Sequence, residues 1–200
     1  MTTPQHDKQA ARFPVPTGEA HTLTADEYLS PEVYERERTA IFSRTWQIVA
    51  RTADLTRPGD FVPANILDEP IVLVHGLDGT ISGFHNVCRH RAGQVALSKG
   101  NRKSLQCRYH GWTYNLDGSL RTATEMKDVA DFDIKDIRLP ALQLREFEGL
   151  IFAADGTPPP FEDFVSGIAE RLAVSGHRLQ DLQFHQHLQL VAGIQNRSLH

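Results

Sequence analysis

Two short stretches of this chain each set one cysteine beside one histidine: Cys88-Arg89-His90 and Cys107-Arg108-Tyr109-His110. They use both of the chain's 2 cysteines and two of its 10 histidines. Cys-x-His and Cys-x-x-His hold a thiolate and an imidazole within a single turn of backbone. Sixteen residues, 91 to 106, separate the two loops, and Gly93 and Gly100 in that interval allow the chain to fold back. A chain marked in this way is constrained to a fold that closes two loops around one compact centre.

Three chemistries use two cysteines and two histidines. A disulfide between Cys88 and Cys107 leaves the matched histidines without a role, and a chain of this size outside an oxidising compartment has little need of one. Tetrahedral zinc accepts two thiolates and two imidazoles, but its common two-Cys, two-His site groups both cysteines in one loop and both histidines in the other. Here each loop holds one of each. A binuclear [2Fe–2S] cluster with two thiolates on one iron and two imidazoles on the other asks for such a mixed set. Spacing therefore favours iron–sulfur over zinc and leaves zinc open.

The surrounding texture is that of a small antiparallel β domain. Trp46–Ala50, Phe61–Ile66, Ile71–His75 and Ile81–Asn86 are β-prone runs, separated by Arg57-Pro58-Gly59-Asp60, Asp68-Glu69-Pro70 and Leu77-Asp78-Gly79-Thr80. Asp78-Gly79 is a strong hairpin signal, and Trp112 to Leu120 spells a second hairpin around Asp117-Gly118. Leu139–Leu144 and Gly149–Ala154 supply two further strands. Before this region, Ser30-Pro31-Glu32 starts a helix over about 31–42, expected to pack its apolar side on the β domain, and the residues up to Pro16 read as a loose arm. After it, Pro158-Pro159-Pro160 ends the sheet. Phe161–Val174 then reads as a helix through Phe164, Ile168 and Leu172, and Phe184–Leu190 as one more strand.

Charge narrows the function classes. Lys+Arg 21 against Asp+Glu 25 gives a net charge of −4, which does not suggest a nucleic-acid surface. No apolar run approaches the ~20 residues of a membrane span, and the N-terminus lacks the apolar core of a secretory signal. A cytoplasmic protein with no membrane and no nucleic-acid partner is the expectation.

Cys88-x-His90 with Cys107-x-x-His110-Gly111-Trp112 resembles the Rieske cluster signature. Asn86-Val87-Cys88-Arg89-His90-Arg91 and Cys107-Arg108-Tyr109-His110-Gly111-Trp112-Thr113-Tyr114 look more specifically like the α subunits of Rieske non-haem iron oxygenases, the aromatic-ring-hydroxylating dioxygenases and choline-monooxygenase-like enzymes. The likeness runs from Ile41-Phe42-Ser43-Arg44-Thr45-Trp46 and Pro58-Gly59-Asp60-Phe61 through to Phe147-Glu148-Gly149-Leu150-Ile151-Phe152, about residues 25 to 155. It implies a Rieske-type [2Fe–2S] cluster, with Cys88 and Cys107 on the buried iron and His90 and His110 on the outer iron, which changes valence. Neutral imidazoles leave less negative charge at the metal than thiolates would, so the potential is raised. A ring on Fe³⁺ is also made more acidic, so the potential is expected to fall as pH rises through its deprotonation.

The neighbours have two readings each. Arg89, Arg91 and Arg108 either offset cluster charge or face an electron-transfer partner, against plain solvation. Trp112 shields the second loop or simply packs. Tyr109 and Tyr114 stand where a hydroxyl can reach a sulfur, with Tyr114 assigned more readily to the hairpin face. His75 and His85 read as ordinary strand residues, and Gly111 and Gly118 as backbone requirements.

The resemblance also implies a mononuclear Fe(II) on two histidines and a carboxylate, and this chain offers no match to it. Val191-Ala192-Gly193-Ile194-Gln195-Asn196-Arg197 stands where the catalytic half should open, without the tryptophan of the family. His185 and His187 with Asp181 or Asp163 make a poor substitute, so no catalytic residue is assigned. The expected fold class is mainly β: a Rieske-type iron–sulfur domain over 44–156, an N-terminal arm and helix over 1–43, and over 157–200 a linker with the helix–strand remnant of a truncated catalytic domain. The expected function is cluster binding and one-electron transfer as the N-terminal part of an oxygenase α subunit. A stand-alone Rieske-type carrier and a structural zinc site are the alternatives. An NAD(P)H-dependent reductase or a ferredoxin is the implied electron donor, and a homo-oligomer is possible.

Overall fold

The computed structural model describes residues 18, 22–126, 129–176, 178–182 and 185. Ten strands form two antiparallel sheets. The larger has seven strands in the order β1 (Gln47–Arg51), β10 (Leu150–Ala154), β9 (Ala141–Phe147), β4 (Ile81–His85), β3 (Glu69–His75), β2 (Asp60–Ile66), β5 (Gly100–Asn101). The smaller sheet is β6 (Leu105–Gln106), β7 (Thr113–Tyr114) and β8 (Leu120–Thr122). The mainly-β antiparallel expectation is thus met.

The centre of the large sheet follows from one run of sequence. Ile71-Val72-Leu73-Val74 is continuously apolar, and all four side chains are fully buried. Consecutive strand residues point to opposite faces, so a run without polar alternation means a strand covered on both sides. Val72 and Val74 enter a cluster with Phe61, Phe84, Cys88, Leu105, Cys107, Trp112 and Tyr114. Ile71 and Leu73 enter another, with Leu55, Ile66, Leu142 and Ile151. Each such side chain contributes about 1.5–3 kcal/mol of burial. The strand β3 is therefore the wall on whose far side the two Cys–His loops are seated.

Turn chemistry sets the connections. Gly79 takes φ 86° and Gly118 φ 82°, as the Asp-Gly pairs require, and a Cβ on Gly118 would lie 2.5 Å from the Phe84 ring. The β2–β3 connection differs from the expected Asp68-Glu69-Pro70 turn. Glu69 and Pro70 pair with Ile66 and Asn65 inside the ladder, and Leu67-Asp68 makes the turn with Leu67 at φ 54°.

The helices depart from expectation in three places. A first short helix, α1 (Ala25–Leu29), is started by Thr24, whose hydroxyl accepts from the Glu27 amide while Glu27 accepts from the Thr24 amide. This Thr-x-x-Glu capping box is a helix start that the sequence itself spells. Next, α2 (Pro31–Ala40) is capped by Ser30 as expected, but gives way to a 3₁₀ turn at Phe42–Arg44. None of its residues is buried, and Tyr34 and Ile41 face solvent, so it does not pack an apolar side on the sheet. The last helix, α3 (Phe161–Ser175), matches its expected span and ends on Gly176 at φ 69°. Its buried residues are Phe161 and Val165, while Ile168 is exposed: the inward stripe lies one position round from Phe164, Ile168 and Leu172. Phe161 meets Trp46 and Phe152 edge-on, each at 5.2 Å, and Trp46 Nε1 donates to the Pro159 carbonyl at 2.9 Å.

The expected strand at Phe184–Leu190, the Val191–Arg197 segment, the arm up to Pro16 and His187 lie outside the described residues. No helix among the described residues is long and apolar enough to cross a membrane.

Candidate metal centre

The loop carrying Cys88 and His90 leaves β4 and is fastened at its base by Asn86, one of the most deeply buried side chains. Asn86 Oδ1 accepts from the amides of Val95 and Ala96, each at 2.9 Å, and Nδ2 donates to the Ala96 carbonyl at 2.7 Å. Three good hydrogen bonds satisfy a buried amide that would otherwise be costly, and they close the loop into a fixed ring. The second loop, Cys107 to Trp112, joins β6 to β7, with Leu105 opposite Tyr114 and Gln106 opposite Thr113.

The two loops share one backbone construction. The Cys88 amide donates to Gly93 O (2.8 Å) and the Ala92 amide to Cys88 O (2.9 Å). Likewise, the Cys107 amide donates to Trp112 O (2.9 Å) and the Gly111 amide to Cys107 O (3.0 Å). In both, the residue four past the cysteine is left-handed: Ala92 at φ 55° and Gly111 at φ 77°. The same turn is thus written once with glycine and once with a strained alanine.

These turns bring the four expected donors to one end of the domain. Cys88 and Cys107 are both buried and both free, so no disulfide joins them. The His90 and His110 rings meet edge to face at 4.6 Å. Gly93 of the first loop approaches Cys107 of the second so closely that a Cβ there would lie 3.1 Å from Sγ. His90 Nδ1 is buried without a hydrogen-bond partner, an open lone-pair or proton site that a metal would satisfy. Burial first, then the charges of His110 and Arg91, hold the His90 imidazole below its ordinary pKa, which favours the neutral, ligating form. Among the described residues no three His, Cys, Asp or Glu side chains gather to hold a single ion. Two donors from each of two loops suit a binuclear group, which asks only a pair at each metal.

Side chains of the second loop reach across to the first. Trp112 and Tyr114 are two residues apart, as are Cys88 and His90. The Trp112 indole stacks on the His90 ring at 4.8 Å and 10°, with Phe132 edge-on behind it at 5.7 Å. The Tyr114 hydroxyl lies 3.3 Å from Cys88 Sγ and accepts from the Arg89 amide at 2.9 Å. Burial, then the adjacent Cys88, push the Tyr114 phenol above its ordinary value, so it keeps its proton. Tyr114 therefore serves the hairpin and the thiol together. Tyr109 instead lies over His110 at 3.9 Å and is 64% exposed.

The remaining candidates are dispersed. Arg89, Arg91 and Arg108 are exposed and make no ion pair among the described residues. His75 Nδ1 is bonded to the Leu55 carbonyl (2.7 Å) and His85 Nε2 to Asp155 (3.2 Å), as strand residues with local partners. His185 is exposed, Asp181 pairs with Arg178, and Asp163 lies in the first turn of α3. The residue that sequence reasoning passed over is Asn86, whose role rests on backbone groups nine and ten residues away. Its signal was only its place at the end of a strand, immediately before Val87-Cys88.

Residues 45–133 match the family model described as the Rieske [2Fe-2S] domain. The carnitine monooxygenase oxygenase subunit of Acinetobacter baumannii is 35% identical over 158 residues, 78% of this chain and 43% of that protein. The glycine betaine monooxygenase oxygenase subunit of Pseudomonas aeruginosa is 37% identical over 142 residues, 70% of this chain and 33% of that protein. Among solved structures, a quaternary ammonium Rieske monooxygenase, reported for carnitine oxidation by gut microbiota and inter-subunit electron transfer, superposes with a TM-score of 0.70 at 34% identity, covering 75% of this chain and 42% of the other. The chain thus spans less than half the length of each of these relatives. Over that span it belongs to the Rieske oxygenase α-subunit family, and what it carries is the Rieske [2Fe–2S] domain.

Proposed function

We propose that Cys88 and Cys107 bind one iron of the cluster and His90 and His110 the other, and that residues 44–156 carry electrons for an oxygenase α subunit. The observation that supports this most is the pair of identically built loops, each presenting one thiol and one imidazole, with His90 Nδ1 buried and unpartnered. A Rieske cluster supplies one-electron chemistry at a potential raised by its imidazoles. The chain's own residues do the rest. Asn86 fixes the first loop, the Cys88 and Cys107 thiols give up their protons to become ligands, and the core around Val72, Leu105 and Trp112 keeps water from the thiolate side.

Residues 1–43 are then an arm with helices, and 157–200 a linker and the opening of the catalytic part. The mononuclear Fe(II) belongs to that further part, and no residue of this chain is assigned to oxygen activation. The donor is an NAD(P)H-dependent reductase or a ferredoxin, and electrons leave across a subunit interface in a homo-oligomer. The names of the relatives place the oxidised substrate among quaternary ammonium compounds.

Anaerobic reconstitution with iron and sulfide, followed by dithionite, tests the ligand assignment. The expected product is coloured, holds iron and sulfide in equal amounts, and gives an EPR signal on reduction. Cys88→Ser, Cys107→Ser, His90→Ala and His110→Ala each lose that signal. A colourless, EPR-silent protein that holds only zinc overturns the assignment.

A further inference from the structure

The two imidazoles of the site are not held alike. His110 lies under the exposed Tyr109, at a tilt of 32°. His90 is covered on one face by Trp112, which is only 3% exposed, with the two planes within 10° of parallel. The edge of His110 bounds the other side of His90 at 71°. Trp112 is itself fixed twice: its carbonyl accepts from the Cys107 amide, and Phe132 supports its ring edge-on. Its buried Nε1 has no hydrogen-bond partner, so no polar contact of the side chain accounts for its orientation. Leaving a buried indole N–H unpaired is costly, and an aromatic or aliphatic side chain of similar bulk without that group would fill the space more cheaply. What the indole supplies in return is its broad flat face.

A monodentate imidazole can turn about its metal–nitrogen bond. That rotation sets the overlap of the ring with the metal and the direction of its second nitrogen. We propose that Trp112 is a positioning residue for electron transfer: a side chain of the second ligand loop that clamps the plane of His90 in the first, and so fixes the electronic structure of the histidine-bound iron. The proposal rests on the assignment of His90 as a ligand. It adds that the two loops are coupled through side chains as well as through the cluster. Gly93 beside Cys107 Sγ and Tyr114 beside Cys88 Sγ are the same cross-loop bracing at the thiol end.

The test compares the wild-type chain with Trp112→Phe and Trp112→Leu, each reconstituted, checked for fold by circular dichroism and for iron content, and reduced for EPR and potentiometry. Wild type must first show a Rieske-type signal; its absence would defeat the ligand assignment, and the clamp with it. Given that signal, Trp112→Phe, which keeps a flat ring, retains the line positions and midpoint potential. Trp112→Leu binds the cluster but gives broadened, shifted lines and a displaced potential, because the ring plane is no longer unique. Wild-type lines and potential in Trp112→Leu, or equal disturbance in Trp112→Phe, would show that Trp112 only fills space. Should Trp112→Leu not fold, Phe132→Leu unseats the indole while leaving its bulk in place. Broadened lines in that variant support the clamp, and unchanged lines overturn it.

Discussion

Tyr114 is fully buried, yet its hydroxyl contacts both Cys88 Sγ and the Arg89 amide. Because the oxygen accepts from Arg89, the phenolic proton is free to point at the sulfur, and burial keeps that proton in place. A donor to a cluster sulfur stabilises the more negative, reduced state. Removing a bond worth about 1–1.5 kcal/mol biases a one-electron couple by roughly 40–65 mV. Tyr114→Phe should therefore lower the midpoint potential by about that much, as read by redox titration; an unchanged potential would mean that the hydroxyl serves only Arg89. The strained alanine of the first loop gives a second prediction. Ala92 sits at φ 55°, where an L-residue costs roughly 1–2 kcal/mol and glycine does not. Part of the relief is offset by the extra unfolded-state freedom of glycine, so Ala92→Gly should stabilise the chain by up to about 1 kcal/mol in urea unfolding. Gly111→Ala should destabilise it by a similar or larger amount. At this scale the four donor residues and the two glycines could be picked out from spacing and turn chemistry. The partners Trp112–His90 and Tyr114–Cys88 could not. They join residues 22 to 26 apart, and only the fold sets one i, i+2 pair against the other.

Among the elements, the edge strand β5 is tied to β2 by a carboxylate. Asp60 accepts from the Asn101 side chain (2.8 Å) and from the Arg57 amide (2.8 Å), and in that order these hold its carboxyl below the usual range. A carboxyl depressed in the folded state stabilises above its unfolded pKa of about 3.9, and this contribution is lost as pH falls through the lower folded value. Asp60→Asn should therefore unfold at lower temperature than wild type near neutral pH, with the gap closing as the pH is taken below about 4. A gap that persists undiminished in acid would remove the carboxylate from the explanation. The helix α3 is tied down by Phe161, wedged between Trp46 and Phe152, and Phe161→Ala should cost about 3 kcal/mol of stability by calorimetry or denaturant unfolding. The strands were legible because each is bounded by Gly, Pro or Asp turns and because β3 is continuously apolar. The helices were less so. The stripe of α3 contains two apolar faces one position apart, and the sheet selects the one bearing Phe161 and Val165. On α2, Val33, Tyr34, Ile41 and Phe42 fall near a helical period, but the mean content of Glu and Arg leaves no buried face.

At the scale of the molecule, one strand divides the interior. The outer face of β3 completes a core with Leu142 and Ile151, and its inner face completes the core in which Cys88 and Cys107 are buried. The thiols thus lie on the protein side and the paired histidine rings beside Tyr109 and the exposed arginines on the solvent side, a polarity that suits an electron entering or leaving through imidazole. The larger oxygenase subunits to which the chain is similar use such a domain as one part of a longer protein, and this chain spans less than half their length. The central claim is that two thiols and two imidazoles share a binuclear cluster, and the midpoint potential of the reconstituted chain tests it most directly. Imidazole ligation on one iron predicts a value between about −150 and +300 mV. A couple near about −400 mV, the range of all-thiolate plant-type clusters, or no redox couple at all, would contradict it.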